Sequence, residues 1–444
     1  MTSSYALRLS PPPQGATNRA FYWPREGVGS FVATHCYRSS IPGAVRPYRA
    51  PRPLRPRLGV LGPVPKPNID FVWLATAVYA ADRSTPRRSQ GSNWSQREIS
   101  IRIPVSDPDT WNAIGERLED LLAFLSGDQW SLDFVPARVR REPEAKSHAA
   151  PHRVMLLSGG ADSIAGAVIS QRDSEGAQQL FVSHVGVTSL FPIQQTIVTM
   201  VEDMLGGEMQ HHQIHLVRRS RQPNGVVYPD ESSTRTRSLL FIALGLALAS
   251  IHGVPLWMPE NGFASLNPPL TADQRGSLST RTTHPSFLGG LTPLLAEAGV
   301  HADLANPFSN VTKGEIFRDV AAVIGIKQAS ALLSATHSCA HTGHRSLGLS
   351  TRLQCGVCFG CLVRRAAFLA SAIPDQTLYL KDIAHPGLAS YLATKSMEGS
   401  MLQFLDRGLR TSDIVALSLP GSYDTREAFS LCDRAAAELR LLFP

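Results

Sequence analysis

The segment Leu157-Ser158-Gly159-Gly160-Ala161-Asp162-Ser163 constrains this chain more than any other. It leaves a short apolar strand, Val154–Leu157, and opens a helix that continues through Ile164–Ser170. Two adjacent glycines let the backbone turn tightly and expose successive N–H groups. The helix N-terminus adds unpaired donors and the positive end of its dipole, and Ser158 and Ser163 add hydroxyls. Such a turn is a cradle for pyrophosphate, and Ser158, Gly159, Gly160, Ala161, Asp162 and Ser163 are the candidate nucleotide-binding residues. No Gly-Lys-Ser/Thr follows, so it is not a Walker A loop.

The chain around this turn alternates in a way that suits it. Phe181–Val187, Ile214–Val217 and Pro255–Met258 read as strands, with Ile193–Leu205 and residues 237–251 as helices between them. Strands spaced by helices of this length predict an α/β fold: a parallel sheet with helices on both faces. The longest apolar run, Leu239 to Ile251, is too short to span a bilayer and reads as a buried helix. Met1–Ser10 has no apolar core of signal-peptide length, so a cytoplasmic protein with no membrane partner is expected.

Upstream, residues 1–67 hold twelve prolines, and residues 1–66 hold ten basic residues against the single acidic Glu26. The net charge of +7 therefore belongs to this arm, and the rest of the chain is close to neutral. Proline removes backbone donors, so a loosely ordered arm is expected, able to hold nucleic acid only through its own basic residues. Phe71–Tyr79 and Glu98–Pro104 then read as strands. Asp107-Pro108-Asp109 opens a helix through Leu125, and Trp130–Val135 is a further strand. The expected organisation is an arm (1–67), a small α+β domain (68–137), a charged linker (138–153), the nucleotide-binding α/β domain (154–372) and a helical C-terminal extension (373–444). Arg426–Leu442 is the clearest helix of that extension.

Four of the six cysteines, Cys339, Cys355, Cys358 and Cys361, crowd into one stretch. Four thiolates can close a tetrahedral Zn²⁺ shell, and a closed shell is structural. An iron–sulfur cluster is the other chemistry this set allows. His337, His341 and His344 lie beside it and read as surface or substrate-facing residues.

SGGADS resembles the loop of the PP-loop ATP pyrophosphatases, an adenine nucleotide alpha hydrolase-like fold. These enzymes cut ATP between the α and β phosphates and release pyrophosphate from an adenylated substrate. The resemblance implies ATP and Mg²⁺ as cofactors, with Asp162 near the phosphates or the metal. SGGADS together with C…CGVCFGCLVRR resembles QueC, the 7-cyano-7-deazaguanine synthase family, over roughly residues 153–370. That family activates the carboxylate of 7-carboxy-7-deazaguanine with ATP and uses ammonia to reach amide and then nitrile. Asn306-Pro307-Phe308 and Thr312-Lys313-Gly314-Glu315-Ile316 are similar to a segment of that family, which makes Lys313 a candidate phosphate or substrate contact.

The middle of the chain departs from the synthases. Ser183-His184-Val185-Gly186-Val187, Glu260-Asn261-Gly262, Ser265-Leu266-Asn267 and Ser279-Thr280-Arg281-Thr282-Thr283-His284-Pro285 stand where synthase motifs are expected. They resemble instead the QueC-like proteins of anti-phage operons, the QatC proteins and their type IV CBASS relatives. That resemblance implies transfer of an activated deazaguanine acyl group to an amine of a partner protein encoded in the same operon.

The residues of this region fit such chemistry on their own terms. Glu260 and Asn261 follow a strand at the carboxyl edge of the expected sheet, where ligands sit. Asn261 can offer a purine edge both donor and acceptor. Arg235 and Arg237 open the apolar helix and can clamp a carboxylate or phosphate. Arg281 and His284 lie in a breaker-rich stretch of the kind that forms binding loops. Asp162, Lys313 and Arg237 are thus the catalytic candidates, and Arg235, Glu260, Asn261, Arg281 and His284 the substrate candidates. A free-standing synthase using ammonia and a non-catalytic nucleotide-sensing subunit are the competing readings. The intact Asp162 and both serines argue against the second. The N- and C-terminal parts carry no legible motif and are expected to dock the acceptor or a second copy of the chain.

Overall fold

The computed structural model describes residues 64–87, 97–136, 150–173, 178–185, 190–206, 209–218, 230–231, 233–270, 281–341 and 343–443, with two short strands at 3–8 and 35–38. Gly186, Val187, Ser279 and Thr280, most of the expected linker and nearly all of the Pro/Arg-rich arm lie outside these residues. Within the arm, β1 (Ser3–Arg8) and β2 (His35–Arg38) are strands rather than loose chain.

In chain order there follow α1 (Lys66–Ser84), β3 (Arg97–Val105), α2 (Pro108–Ala113), α3 (Gly115–Ser126) and β4 (Gln129–Pro136). β1, β3 and β4 form a parallel three-stranded sheet. The second sheet is built from β5 (Val154–Leu156), β6 (Gln179–Val185), β7 (Met209–Arg218), β8 (Leu256–Trp257) and β9 (Leu304–Ala305). Between its strands run α4 (Ala161–Asp173), α5 (Leu190–Leu205), α6 (Arg237–His252), α7 (Gly262–Leu266) and α8 (Pro285–Glu297). Its order is β2-β7-β6-β5-β8-β9, parallel except for β2 at the edge. This is the α/β class that the sequence predicts.

Alternation along the strands sorts the core into two layers. Val154, Leu180, Val182, Ile214 and Leu256 face one layer, shared with α1, α6 and α8. Met155, Phe181 and Met209 face the other, shared with α4, α5, α9 (Lys313–Ile324) and α10 (Ile326–Ala335). The first layer also takes in Ile99, Ile101 and Ile103 of β3, so one continuous core crosses from the N-terminal sheet to the second sheet. After α10 come α11 (Phe359–Ser371), α12 (Leu388–Ala393), α13 (Glu398–Arg407), α14 (Thr411–Val415) and α15 (Thr425–Arg440). A third core joins α7, α11, α13 and α15. Among the described residues no helix is long and apolar enough to cross a membrane.

Two elements differ from expectation. Residues 71–79 are not a strand but the middle of α1. Phe71, Leu74, Ala75, Ala77, Val78, Ala80 and Ala81 are all buried, because α1 lies between β3 and α6. A helix covered on most sides loses its amphipathic period, and a short apolar run then reads equally well as strand. Pro67 sits in the first turn, where its missing N–H costs nothing. The single helix expected from Asp107 is two, α2 and α3, with the break at Ile114–Gly115, where glycine gives little helical support.

Between the N-terminal sheet, the end of α1 and the start of α6, charge is buried. Arg97 is 1% exposed and donates to Asp82 at 2.6 Å and to Asp128 at 2.5 and 3.0 Å. Asp82 also accepts from the backbone N–H of Arg235 and Thr236 ahead of α6. Arg87 stands 2.5 Å from Asp128 and 3.5 Å from Asp82, so Arg97→Ala removes one of two buried counter-charges and should cost less than the about 3–5 kcal/mol of a fully broken buried pair, read as a lowered melting temperature.

Candidate active site and metal centre

The chain runs outward from β5 in both directions, to β6 and β7 on one side and to β8 and β9 on the other. The crevice at the carboxyl ends of β5 and β8 is therefore the switch point of the sheet, where open α/β folds bind ligands. SGGADS leaves β5 there, and Glu260-Asn261 follow β8.

Gly159 has φ +88°, a conformation that side chains other than glycine rarely adopt, and Gly160 starts the turn into α4. Ser158 Oγ accepts from Gly160 N at 3.1 Å and lies 3.3 Å from Ser163 Oγ, which donates to Gly160 O at 2.9 Å. The Gly159 carbonyl accepts from His337 N at 2.9 Å.

Asp162 occupies the first turn of α4 and is almost fully buried. Both carboxylate oxygens accept from Lys313 Nζ at 2.7 Å, and Oδ2 accepts from Asn261 Nδ2 at 2.9 Å. Burial opposes the charge on Asp162, but the Lys313 ammonium and then the Asn261 amide outweigh it and hold the carboxyl below its usual range. Glu260 completes the group. Burial, and next the negative charge of Asp162, push its carboxyl well above the usual range. Beside one ammonium, the two carboxyls present hard oxygen donors of the kind Mg²⁺ takes.

The neighbours fix this group in place. Asn261 caps α7, its Oδ1 accepting from Ala264 N at 3.0 Å, so both ends of its amide are engaged within the chain. Lys313 starts α9, whose N-cap Thr312 forms a reciprocal capping box with Glu315. Asn306 clamps the Glu260 backbone, accepting from its N–H at 3.1 Å and donating to its carbonyl at 2.8 Å. It also donates to Ser265 Oγ, which lies 2.8 Å from Thr283 Oγ1.

Cys339, Cys355, Cys358 and Cys361 are buried, with their sulfurs all within 4.8 Å of one another. A Zn–S bond of about 2.3 Å sets tetrahedral S···S edges of about 3.8 Å. The Cys339–Cys358 and Cys355–Cys361 pairs stand at 4.0 and 3.7 Å. Two backbone N–H groups point at the sulfurs, Cys355 N at Cys339 Sγ (3.4 Å) and Cys358 N at Cys355 Sγ (3.3 Å), as suits thiolates. The set can hold a metal ion such as zinc. Gln354, next to Cys355, bonds Ser338 N and Thr336 O, and Arg364 of α11 bonds Thr336 Oγ1 and Leu333 O. The strand of chain so braced is the one whose His337 N–H holds Gly159. His344, expected at the surface or facing substrate, is fully buried, with Nε2 2.8 Å from Ser350 O.

The remaining candidates stand apart from the Asp162 group. Arg235 Nη1 donates to Ser126 O at 2.8 Å, and Arg281 Nη1 donates to Phe124 O at 2.7 Å. Two arginines thus meet the last carbonyls of α3, where the helix dipole favours cations. Arg281 lies over the Phe124 ring, and His284 meets the same ring edge-on. Arg237 is exposed and stacks near Phe241, which in turn contacts His184 at the end of β6.

His284 caps α8 through Nδ1, which accepts from Ser286 N at 3.2 Å. Burial, then Arg281, lower its pKa to about 4. The unfolded chain takes up a proton near the ordinary value of 6.5 and the folded chain does not, so this contribution to stability is complete above pH 6.5 and fades as pH falls toward 4. His284→Asn keeps a capping side chain without titrating. Relative to that variant, the wild type should lose melting temperature steadily between pH 7 and 4.5; a constant gap would contradict the assignment.

Sequence reasoning missed a support layer beneath the loop. Ser183 Oγ donates to Leu157 O at 2.6 Å, and its oxygen lies 2.7 Å from His211 Nε2. Gln194 Nε2 donates to Ser158 O at 3.5 Å, and Gln194 Oε1 accepts from Gln213 Nε2 at 3.1 Å. The second and third strands thus hold the carbonyls that aim the loop. Period-2 spacing of Ser183, His211 and Gln213 on one face was the signal available.

No protein-family model matches the chain. Among curated proteins it is similar to the 7-cyano-7-deazaguanine synthases of Cupriavidus taiwanensis and Cupriavidus necator, each 30% identical over 148 residues. The match covers 33% of this chain and 56% of each relative, so the chain spans little more than half the length of the curated relatives it matches.

Proposed function

We propose that the protein is an ATP-dependent, carboxylate-activating enzyme of anti-phage defence that adenylates a 7-deazaguanine carboxylate and passes the acyl group to an amine of a partner protein. The observation that carries this reading is the buried Asp162–Lys313–Asn261 group, with half-buried Glu260 against it, beside a glycine turn and a helix N-terminus at the switch point of the sheet. The likeness to 7-cyano-7-deazaguanine synthases supports the substrate class. The departures around residues 260–285 and the chain outside the match favour a protein acceptor.

In this reading Ser158–Ser163 receive the triphosphate through backbone N–H groups and hydroxyls. Asp162 and Glu260 supply oxygens for Mg²⁺, which would neutralise phosphate charge. Lys313 stands 2.7 Å from Asp162, close enough to the loop to meet phosphate charge with its ammonium. A substrate carboxylate oxygen attacks the α-phosphorus, the bond to the β-phosphate oxygen breaks, and pyrophosphate leaves. The amine nitrogen then attacks the acyl carbon. An amide forms, AMP departs with the carboxylate oxygen, and the amine proton passes to solvent.

The second reading, an ammonia-using synthase, is favoured by the likeness to 7-cyano-7-deazaguanine synthases. Incubation with ATP, Mg²⁺, 7-carboxy-7-deazaguanine and ammonium, with products identified by mass spectrometry, separates the two. AMP with an adenylate or amide and no nitrile supports protein transfer. Nitrile makes the chain a synthase, and absence of substrate-dependent AMP contradicts both.

A further inference from the structure

We infer that Glu438, near the end of the C-terminal extension, is a positioning residue for Lys313; this rests on the reading that Lys313 and Asp162 handle ATP. The two residues lie 125 positions apart in the sequence. α15 nevertheless lays one face along the N-terminus of α9, which carries Lys313. Glu438 Oε1 accepts from the Thr312 hydroxyl and Oε2 accepts from Gly314 N at 3.0 Å, so one carboxylate grips the residues on either side of Lys313. One turn earlier, Arg434 donates to Glu315 Oε1 and to Asn310 O, each at 2.8 Å. Leu431, a turn before that, packs where a side chain on Gly262 would otherwise stand.

The grip is built in from both sides. A Cβ on Gly314 would lie 2.5 Å from Glu438 Oε1, so only glycine lets the carboxylate approach. The carboxylate also occupies the positive end of α9, which therefore offers no amide at Gly314 to a phosphate. Lys313 is left to reach across to Asp162 from a backbone that cannot rock. The same helix touches the segment after Asn261, so α15 braces both partners of Asp162 from behind. The extension is thus part of the catalytic body and not a separate docking module.

The test measures ATP–pyrophosphate exchange and Mg-ATP affinity on the full chain. Glu438→Ala should lower kcat/KM by about ten- to a hundred-fold through misplacement of Lys313, and Glu438→Gln, which keeps an acceptor for Gly314 N–H, should recover much of it. Gly314→Ala should act like Glu438→Ala, and the double variant should be no worse than either alone, because both changes break one contact. Leu439→Ala, which loosens α15 in the third core, is the control for mere stability. Equal losses in Leu439→Ala and Glu438→Ala at matched melting temperature would overturn the inference. So would wild-type binding and exchange in Glu438→Ala. A wild type that binds no Mg-ATP would instead overturn the reading beneath it, and the inference with it.

Discussion

Lys313→Ala is expected to reduce ATP-dependent AMP formation by more than about 100-fold, since it removes the one cation that touches Asp162 among the described residues. The same change leaves Asp162 buried beside Glu260 with no counter-charge, which should cost about 3–5 kcal/mol of stability. Lost activity in this variant alone therefore has two explanations. Asp162→Asn combined with Lys313→Met separates them. Replacing both charges by neutral groups of similar size should return the melting temperature close to that of the wild type. Activity should stay absent, because the phosphates have then lost Lys313 and a divalent ion keeps Glu260 without Asp162. If the double variant turned over ATP, the Asp162 group would be a structural ion pair and the site would lie elsewhere.

The second large effect is expected from the cysteine cluster. Structural zinc sites in small peptides bind with about 10–16 kcal/mol, and that free energy is folding free energy. Cys355→Ser, or chelation under reducing conditions, should unfold the stretch from Thr336 to Cys361 before the rest of the chain. His337 would then no longer hold Gly159, and the KM for ATP should rise together with the loss of metal. Elemental analysis should give one zinc per chain. Freshly purified protein with four reduced thiols and no metal, or a metal-free protein with unchanged melting temperature and ATP affinity, would contradict this account.

The glycine turn and the cysteine cluster were legible because each is local: a turn, a cap and a spacing within a few residues. The parallel sheet was legible because strand and helix periods alternate over residues 154–258. α1 was not, because burial on most of its sides erased the period that separates helix from strand. The arginines show a second limit. Arg235 and Arg281 sit in polar stretches where a ligand contact is a natural reading, yet their donors end on carbonyls of α3 more than a hundred residues away. Glu438 shows it most sharply. A glutamate in an amphipathic helix reads as solvated face, and only the fold brings it to Thr312 and Gly314. Asn261 was read as a ligand-facing amide, while its two ends are already taken by α7 and Asp162.

The most direct test of the central claim follows oxygen. 7-Carboxy-7-deazaguanine labelled with ¹⁸O in its carboxylate would be incubated with the protein, ATP, Mg²⁺ and an amine acceptor, and the AMP analysed by mass spectrometry. Adenylation predicts AMP carrying one ¹⁸O, inherited from the carboxylate when the amine displaces it. Unlabelled AMP, or ADP in its place, would contradict activation at the α-phosphorus.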